Sequence, residues 1–342
     1  MKDRKILEKR IGKDVKDAPA VSVIIPAYNV AAFVSETLDS VFAQTFKDFE
    51  VVLVNDGSPD TAELEKILAP YFEKIVYIKQ ENGGASAARN TAIENARGAF
   101  LAFLDGDDVW LPEYLETQLK MLERKNCDLV YCDAFLFGNT RGSDSRFMEK
   151  SPSSGPVTTE SLIEATCSVI TSGTVAKKEK VIEAGLFDEN LPRIGMEDFD
   201  LWFRMARGVA KLDYHTTPLL RYRVRPDSLS GSNVKRAERN VRVMEITKEK
   251  YNLTDSEKTA MENYLVFARA ELELEKGKLE LTRENFAAAR RHLQAANRFY
   301  RKPTFYLAIF LLAVSPKIVL RLFRRIRPAE ASFIEPQATA ES

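Results

Sequence analysis

VSVIIPAYNVAAFVSETLDSVFAQTFKDFEVVLVNDGS, residues 21–58, holds two β-branched apolar runs separated by a segment of different period. The first run, VSVIIPAY (21–28), is stopped by Pro26, and FEVVLVNDGS (49–58) ends in turn residues. Between them VAAFVSETLDSVFAQ (30–44) repeats its apolar residues every three or four positions, which predicts strand, helix, strand. The pattern continues with a helix around 61–72, the strand KIVYIKQ (74–80), the helix GGASAARNTAIENA, then AFLAFLDGDD as strand and turn. Four apolar strands alternating with helices over roughly eighty residues predict an α/β fold with a parallel sheet covered on both faces.

Further along, EYLETQLKMLERK reads as helix and DLVYCDAFLF as strand, while the Gly- and Ser-rich stretch 138–156 reads as a mobile loop. A short strand, TSGTVAKK, follows. MEDFDLWFRMA (196–206) is an amphipathic helix opening on acids, which suits the positive end of a helix dipole. AKLDYH and PLLRYRV read as a strand pair closing the domain near Ser230. These patterns divide the chain into a charged N-terminal tail or short helix (1–20), an α/β domain (21–230), a helical region (231–302), a basic amphipathic segment (303–327) and a disordered tail (328–342).

Among 342 residues, 50 basic and 50 acidic side chains cancel, so no global field recruits nucleic acid. The balance is uneven: between Arg283 and Arg327 stand eleven Lys or Arg and one acid, Glu284. FYLAIFLLAVSPKIVLRLFRRIR (305–327) is broken at Pro316, too early for its apolar run to span a bilayer. Its interleaved basic and apolar residues predict an element lying in a membrane interface, with a buried terminal hairpin as the alternative. The charged N-terminus has no secretory or transmembrane pattern. Three cysteines without CxxC spacing argue against a disulfide framework or zinc site and fit a reducing cytoplasm; two histidines leave acid and base chemistry to carboxylates.

The polar stretches PAYN, NDGS, QENGG and DGDD each follow a strand, and ligands bind at the carboxyl ends of parallel strands. In LDGDD, Asp105 and Asp107 are two apart and can converge on one point, with Gly106 leaving room for a ligand. Such a pair suits Mg2+ or Mn2+ bridging to a diphosphate; a helix-capping turn is the alternative. Asp108 reads as turn and helix-start structure. Asp56 in NDGS stands where a carboxylate can accept from a nucleoside. NGGASAARN (82–90) sets two glycines and Arg89 at a helix start, a setting that favours phosphate. Of Glu197, Asp198 and Asp200, one can point into the crevice as a general base, against three dipole-matching acids as the alternative.

Taken in order, VSVIIPAYN, VNDGS, NGGASAARN, FLDGDDVWLP, GLFDE, EDFDLWFRMA and YRVRPDSLS closely resemble the family 2 glycosyltransferases of the GT-A fold, over about residues 21–230. The resemblance implies a Rossmann-like, mostly parallel sheet flanked by helices. It also implies metal-dependent, inverting transfer of a sugar from a nucleotide-diphosphate sugar, UDP-hexose by default, to a hydroxyl. Carried over residue by residue, Pro26, Tyr28, Asn29 and Asp56 line the nucleoside pocket, with Asn82 and Arg89 along the nucleotide and diphosphate. Asp105 and Asp107 match the DxD, Asp107 as metal ligand for Mn2+ or Mg2+, and Asp198 matches the base. Arg225 stands where the family often carries histidine; it can hold a diphosphate bidentately. A QxxRW motif, typical of processive synthases, is absent, so one sugar per encounter is expected. The basic C-terminus then implies a peripheral protein on the inner face of the cytoplasmic membrane, acting on a lipid-linked or cell-surface glycan. The rival readings are a nucleotidyltransferase, whose triphosphate loop IPAYNVAAF lacks, and a silent nucleotide-sugar-binding scaffold, against which Asp105, Asp107 and Asp198 stand.

Overall fold

The computed structural model describes residues 4–138, 145–225 and 233–326, in two units, Met1–Val224 and Arg225–Ser342. The two runs of 21–58 are strands β2 (Val21–Ala27) and β3 (Phe49–Asp56), which follow β1 (Ile6–Ile11). They continue into β4 (Val76–Gln80), β5 (Phe100–Phe103), β6 (Val109–Trp110), β7 (Leu129–Gly138), β8 (Thr174–Lys177) and β9 (Leu212–Val224). One sheet contains all nine in the order β1-β4-β3-β2-β5-β8-β7-β9-β6. β4, β3, β2 and β5 are mutually parallel, as their helical crossovers require. β8 runs antiparallel to both β5 and β7, so the complete sheet is mixed.

Both faces of the parallel half are covered, which explains why its strands carry no polar alternation. Val23, Ile25, Val51 and Leu53 pack on one face with Leu38 of α1 (Val34–Phe42) and Leu64 of α2 (Thr61–Leu68). Ile24, Val52, Val54 and Phe103 pack on the other with Ala88 and Ala92 of α3 (Ala85–Asn95). Each fully buried branched side chain is worth about 1.5–3 kcal/mol, so the strands are held by two cores at once. The remaining helices of this unit are α4 (Tyr114–Lys125), α5 (Phe147–Lys150), α6 (Thr159–Ile163), α7 (Lys178–Glu183) and α8 (Glu197–Arg204). Trp202 of α8 seats its ring edge-on to Phe103, 5.5 Å between centroids, and thereby packs α8 against the sheet.

Three expectations are corrected. The segment 1–20 is not simply a solvated tail or helix: β1 pairs antiparallel with β4 and forms an edge strand. Its charges are what an edge strand uses to discourage further pairing, and Arg4 bonds Glu94 at 2.7 Å and Glu189 at 2.7 Å. The two expected strands, 210–215 and 218–224, are a single β9, whose register against β7 shifts around Asp133 so that the extra residues bulge out. Of the expected loop 138–156, Gly138 ends β7 and α5 occupies Phe147–Lys150; 139–144 lie outside the described residues.

The second unit is helical throughout its described length: α9 (Asn233–Lys250), α10 (Asp255–Thr282), α11 (Phe286–Tyr300), α12 (Pro303–Val314) and α13 (Pro316–Ile326). Thr254 opens α10 with a capping box, its hydroxyl accepting from the Glu257 N–H while the Glu257 carboxylate accepts from the Thr254 N–H. Pro303 and Pro316 each stand in a first helical turn, where a missing N–H costs nothing. Leu312 and Leu320 pack with Leu281 and Ala289, so α12 and α13 are docked on α10 and α11 through one side only. Tyr306, Leu307, Phe310, Val314, Ile318, Leu322 and Ile326 remain 46–74% exposed. No helix among the described residues is long and apolar enough to cross a membrane. The expected disordered tail, 328–342, lies outside the described residues.

Candidate active site

The four loops after β2, β3, β4 and β5 lie side by side because those strands are neighbours in the sheet. In the first, Tyr28 is 53% exposed, Asn29 has φ 54°, and the Asn29 N–H donates to Ser58 Oγ of the second loop at 2.7 Å. Pro26 is partly buried and its carbonyl backs the acidic turn. A Cβ on Gly106 would stand 3.0 Å from Val30 Cγ2 and 3.3 Å from the Pro26 oxygen, so glycine is what lets this turn close onto the first loop.

Asp56 is buried and its carboxylate is spoken for within the protein. Oδ1 accepts from the Gly83 N–H at 2.8 Å and from Gln80 Nε2 at 2.7 Å, while Oδ2 accepts from the Gly84 N–H at 2.8 Å. Asn82 Nδ2 donates to the Asp56 carbonyl at 2.8 Å. Asp56 therefore moulds the 82–84 loop, and any nucleoside contact it makes is shared with that task.

Arg89 is placed differently from the sequence expectation. It is 6% exposed, with Nη2 on Asp105 Oδ1 at 2.6 Å and Nη1 on Glu197 Oε1 at 3.0 Å. Burial alone would lower its pKa, but the charges of Asp105 and Glu197 outweigh burial and raise it, so it is a permanent cation. Its guanidinium ties the acidic turn after β5 to the start of α8 and is committed to carboxylates.

Asp107 is partly exposed, and its carbonyl accepts from Arg223 Nε at 2.8 Å. Asp108 is structural, as expected, but it does not start a helix. Its Oδ1 accepts from the Arg223 N–H at 2.7 Å and its carbonyl from Thr37 Oγ1 at 2.8 Å, so it fastens the turn to β9 and α1. Burial first, then the charges of Asp107 and Asp105, push its carboxyl well above the usual range.

Asp198 sits in the first turn of α8. Its Oδ2 accepts from Thr171 Oγ1 at 3.0 Å and its Oδ1 from the Phe199 N–H at 2.7 Å. Burial raises its pKa, the neighbouring Glu197 charge adds to this, and Arg89 opposes it. The result is a fixed carboxylate more basic than an ordinary one. Asp200, by contrast, is buried against Arg204 at 2.8 Å and braces the helix. Arg225 follows β9 directly and opens the second unit.

Sequence reasoning missed the turn Thr171–Gly173, a single tight turn before β8. Thr171 holds Asp198, Ser172 Oγ accepts from the Asp105 N–H at 3.1 Å, and the Gly173 carbonyl accepts from Gln118 Nε2 at 2.7 Å. Gln118 Oε1 in turn lies 2.8 Å from Nε2 of the buried His215, which must donate there. No periodicity marks these residues; only Thr-Ser-Gly between apolar runs hints at a turn. Arg223 and Arg193 were also missed; Arg193 Nη1 donates to Asn82 Oδ1 at 2.7 Å.

His215 carries a pH prediction. Burial lowers its pKa from 6.5 to about 4, so the unfolded chain binds a proton that the folded chain refuses across that window. Stability should fall by about 3 kcal/mol as pH drops from about 6.5 to 4. His215→Gln should flatten this part of a plot of Tm against pH, which differential scanning calorimetry can check.

The glycosyl transferase family 2 profile matches residues 22–179. An uncharacterised glycosyltransferase of Methanocaldococcus jannaschii is 32% identical over 214 residues, covering 61% of this chain and 72% of that protein. The chain belongs to glycosyl transferase family 2. An uncharacterised glycosyltransferase of Rickettsia felis is 35% identical over 209 residues, 60% of this family 2 chain but 34% of the relative. The family 2 chain thus spans between about a third and just under two-thirds of the length of the Rickettsia relatives it matches. Two solved structures share its GT-A fold. S. aureus TarS 1–349 in complex with UDP has TM-score 0.54 and 19% identity, covering 89% of this chain and 91% of that one. A mannosyltransferase from Pyrobaculum calidifontis, in complex with GDP-Man and Mn2+, has TM-score 0.59 and 17% identity, covering 92% and 89%.

Proposed function

We propose that this family 2 chain moves a sugar from a nucleotide-diphosphate sugar to a hydroxyl of a glycan or lipid-linked acceptor, with inversion and with Asp198 as general base. The observation that carries the reading is the seat of Asp198: a carboxylate of raised pKa, oriented by Thr171 and joined through Glu197 and Arg89 to the acidic turn. Asp198 takes the proton of the attacking hydroxyl, and the attack comes from the face opposite the diphosphate, so no covalent intermediate on the chain is needed. Neighbours of the same fold were solved with UDP-GlcNAc and with GDP-Man, which supports a nucleotide-sugar donor; UDP-hexose is the starting choice.

Asp105 and Asp107 fit a divalent cation. Asp107 is partly exposed, and the Asp105 side chain is 34% exposed although Oδ1 is on Arg89. Among the described residues no group of three or more metal-ligating side chains occurs, and Mg2+ or Mn2+ at nucleotide sites typically takes one or two carboxylates and completes its shell from phosphates and water. Asp107, with Asp105 beside it, would hold the ion, which when bound supplies positive charge to the leaving diphosphate. Pro26, Tyr28, Asn29 and Asp56 are the proposed nucleoside side of the crevice, with Asn82 next along it. A panel of UDP- and GDP-sugars with Mn2+, read by nucleoside diphosphate release, tests the reading. Release from none of them above the buffer blank overturns it.

The outward face of α12 and α13 supports work at the inner face of the cytoplasmic membrane. Its exposed apolar side chains are flanked by Lys317, Arg321, Arg324 and Arg325, the combination that binds anionic interfaces. Because Leu312 and Leu320 belong to the unit's own core, exposed positions make the cleaner test. Phe310→Glu with Leu322→Glu should cut binding to phosphatidylglycerol vesicles about tenfold or more in a sedimentation assay, with Tm unchanged. Undiminished pelleting would refute the membrane role.

A further inference from the structure

We propose that the guanidinium of Arg193 meets the donor's diphosphate, the task the sequence assigns to Arg89. The inference rests on the nucleotide-sugar reading of the crevice. A donor diphosphate attracts cationic partners beside the metal ion, and three arginines of the first unit bond to loops of the crevice. Arg89 is buried and holds Asp105 and Glu197. Arg223 is directed to the Asp107 carbonyl and to Glu36 Oε2 at 2.5 Å. Arg193 is exposed, and its bonding partner is the neutral carboxamide of Asn82, which leaves its charge uncompensated by any carboxylate among the described residues.

Its position is built rather than incidental. Gly84 has φ 87°, and a Cβ there would stand 3.0 Å from Arg193 Nε and 3.4 Å from its Cδ and Cζ. The positive φ of Gly84 and its missing Cβ leave the guanidinium room against the 82–84 loop, the loop that Asp56 moulds at the end of β4. Arg193 also lies five residues before Asp198, in the segment leading into α8. A diphosphate bound by Arg193 therefore ties donor occupancy to the segment that carries the base. The fork geometry of arginine matches a diphosphate better than a single ammonium does.

The test is calorimetric titration of the full chain with UDP, GDP, UMP and GMP in the presence of Mn2+. The wild-type protein should prefer a nucleoside diphosphate over its monophosphate. Arg193→Ala should weaken diphosphate binding about tenfold or more and leave the monophosphate within about twofold, and Arg193→Lys should recover part of the loss. Equal affinities for Arg193→Ala and wild type overturn the inference alone. Equal losses for mono- and diphosphate also overturn it, since they mark a tie acting only through Asn82. Absence of binding by the wild-type protein to either diphosphate overturns the nucleotide reading itself.

Discussion

Asp198→Asn is expected to lower kcat by about 10²–10⁴-fold while leaving donor affinity within about twofold of wild type. The substitution keeps the volume and one acceptor for the Phe199 N–H, 2.7 Å away, while its NH2 can donate to the Thr171 hydroxyl, 3.0 Å away, so the helix start should not move. What it removes is the lone pair that takes the acceptor's proton as the new bond forms. The same group sets the acid limb of the rate profile. Burial and the Glu197 charge raise its pKa, so kcat/KM should fall on acidification at a pH above the ordinary carboxylate range. Transfer assays with donor and acceptor, paired with calorimetric donor titration, separate the two constants. Substantial turnover in the Asn variant would sink the assignment of the base.

Arg89→Ala is expected to destabilise the first unit by about 3–5 kcal/mol, a drop in Tm on the order of 10 °C. The loss follows from what it leaves behind. Asp105 and Glu197, at 2.6 and 3.0 Å from the guanidinium, would face each other without their shared counter-charge. The Phe187 ring, 5.5 Å from the guanidinium carbon, would also lose its cation. Arg89→Lys keeps the charge but cannot span two carboxylates, so it should recover only part of the stability. Scanning calorimetry decides the matter, and a Tm within about 2 °C of wild type for Arg89→Ala would show that the bridge carries little of the fold.

The strands from 21 to 103 were legible because residues buried on both faces leave unbroken apolar runs, Val51 to Val54 being the plainest. The first strand was not, since Ile6, Leu7 and Ile11 stand among charges and take their backbone partners from β4, a relation no local pattern records. The acidic turn and the acidic start of α8 could be found by residue type and order. The tasks of Arg89 and Asp56 could not. Their helix and strand-end positions were read correctly, but the carboxylates and amides that claim them are fixed by the tertiary fold. Thr171 and Ser172 were invisible for a related reason: a three-residue turn has no period to detect.

That turn sets a spacing. Thr171 positions the proposed base and Ser172 positions the first acid of the DGD turn, on adjacent residues of one backbone whose third member is held by Gln118 and His215. The gap between the proposed proton acceptor and the proposed metal seat is thus ruled by a segment that belongs to neither. Loops elsewhere on the sheet can change length or chemistry, and so change the acceptor, without altering the reach across the reacting centre.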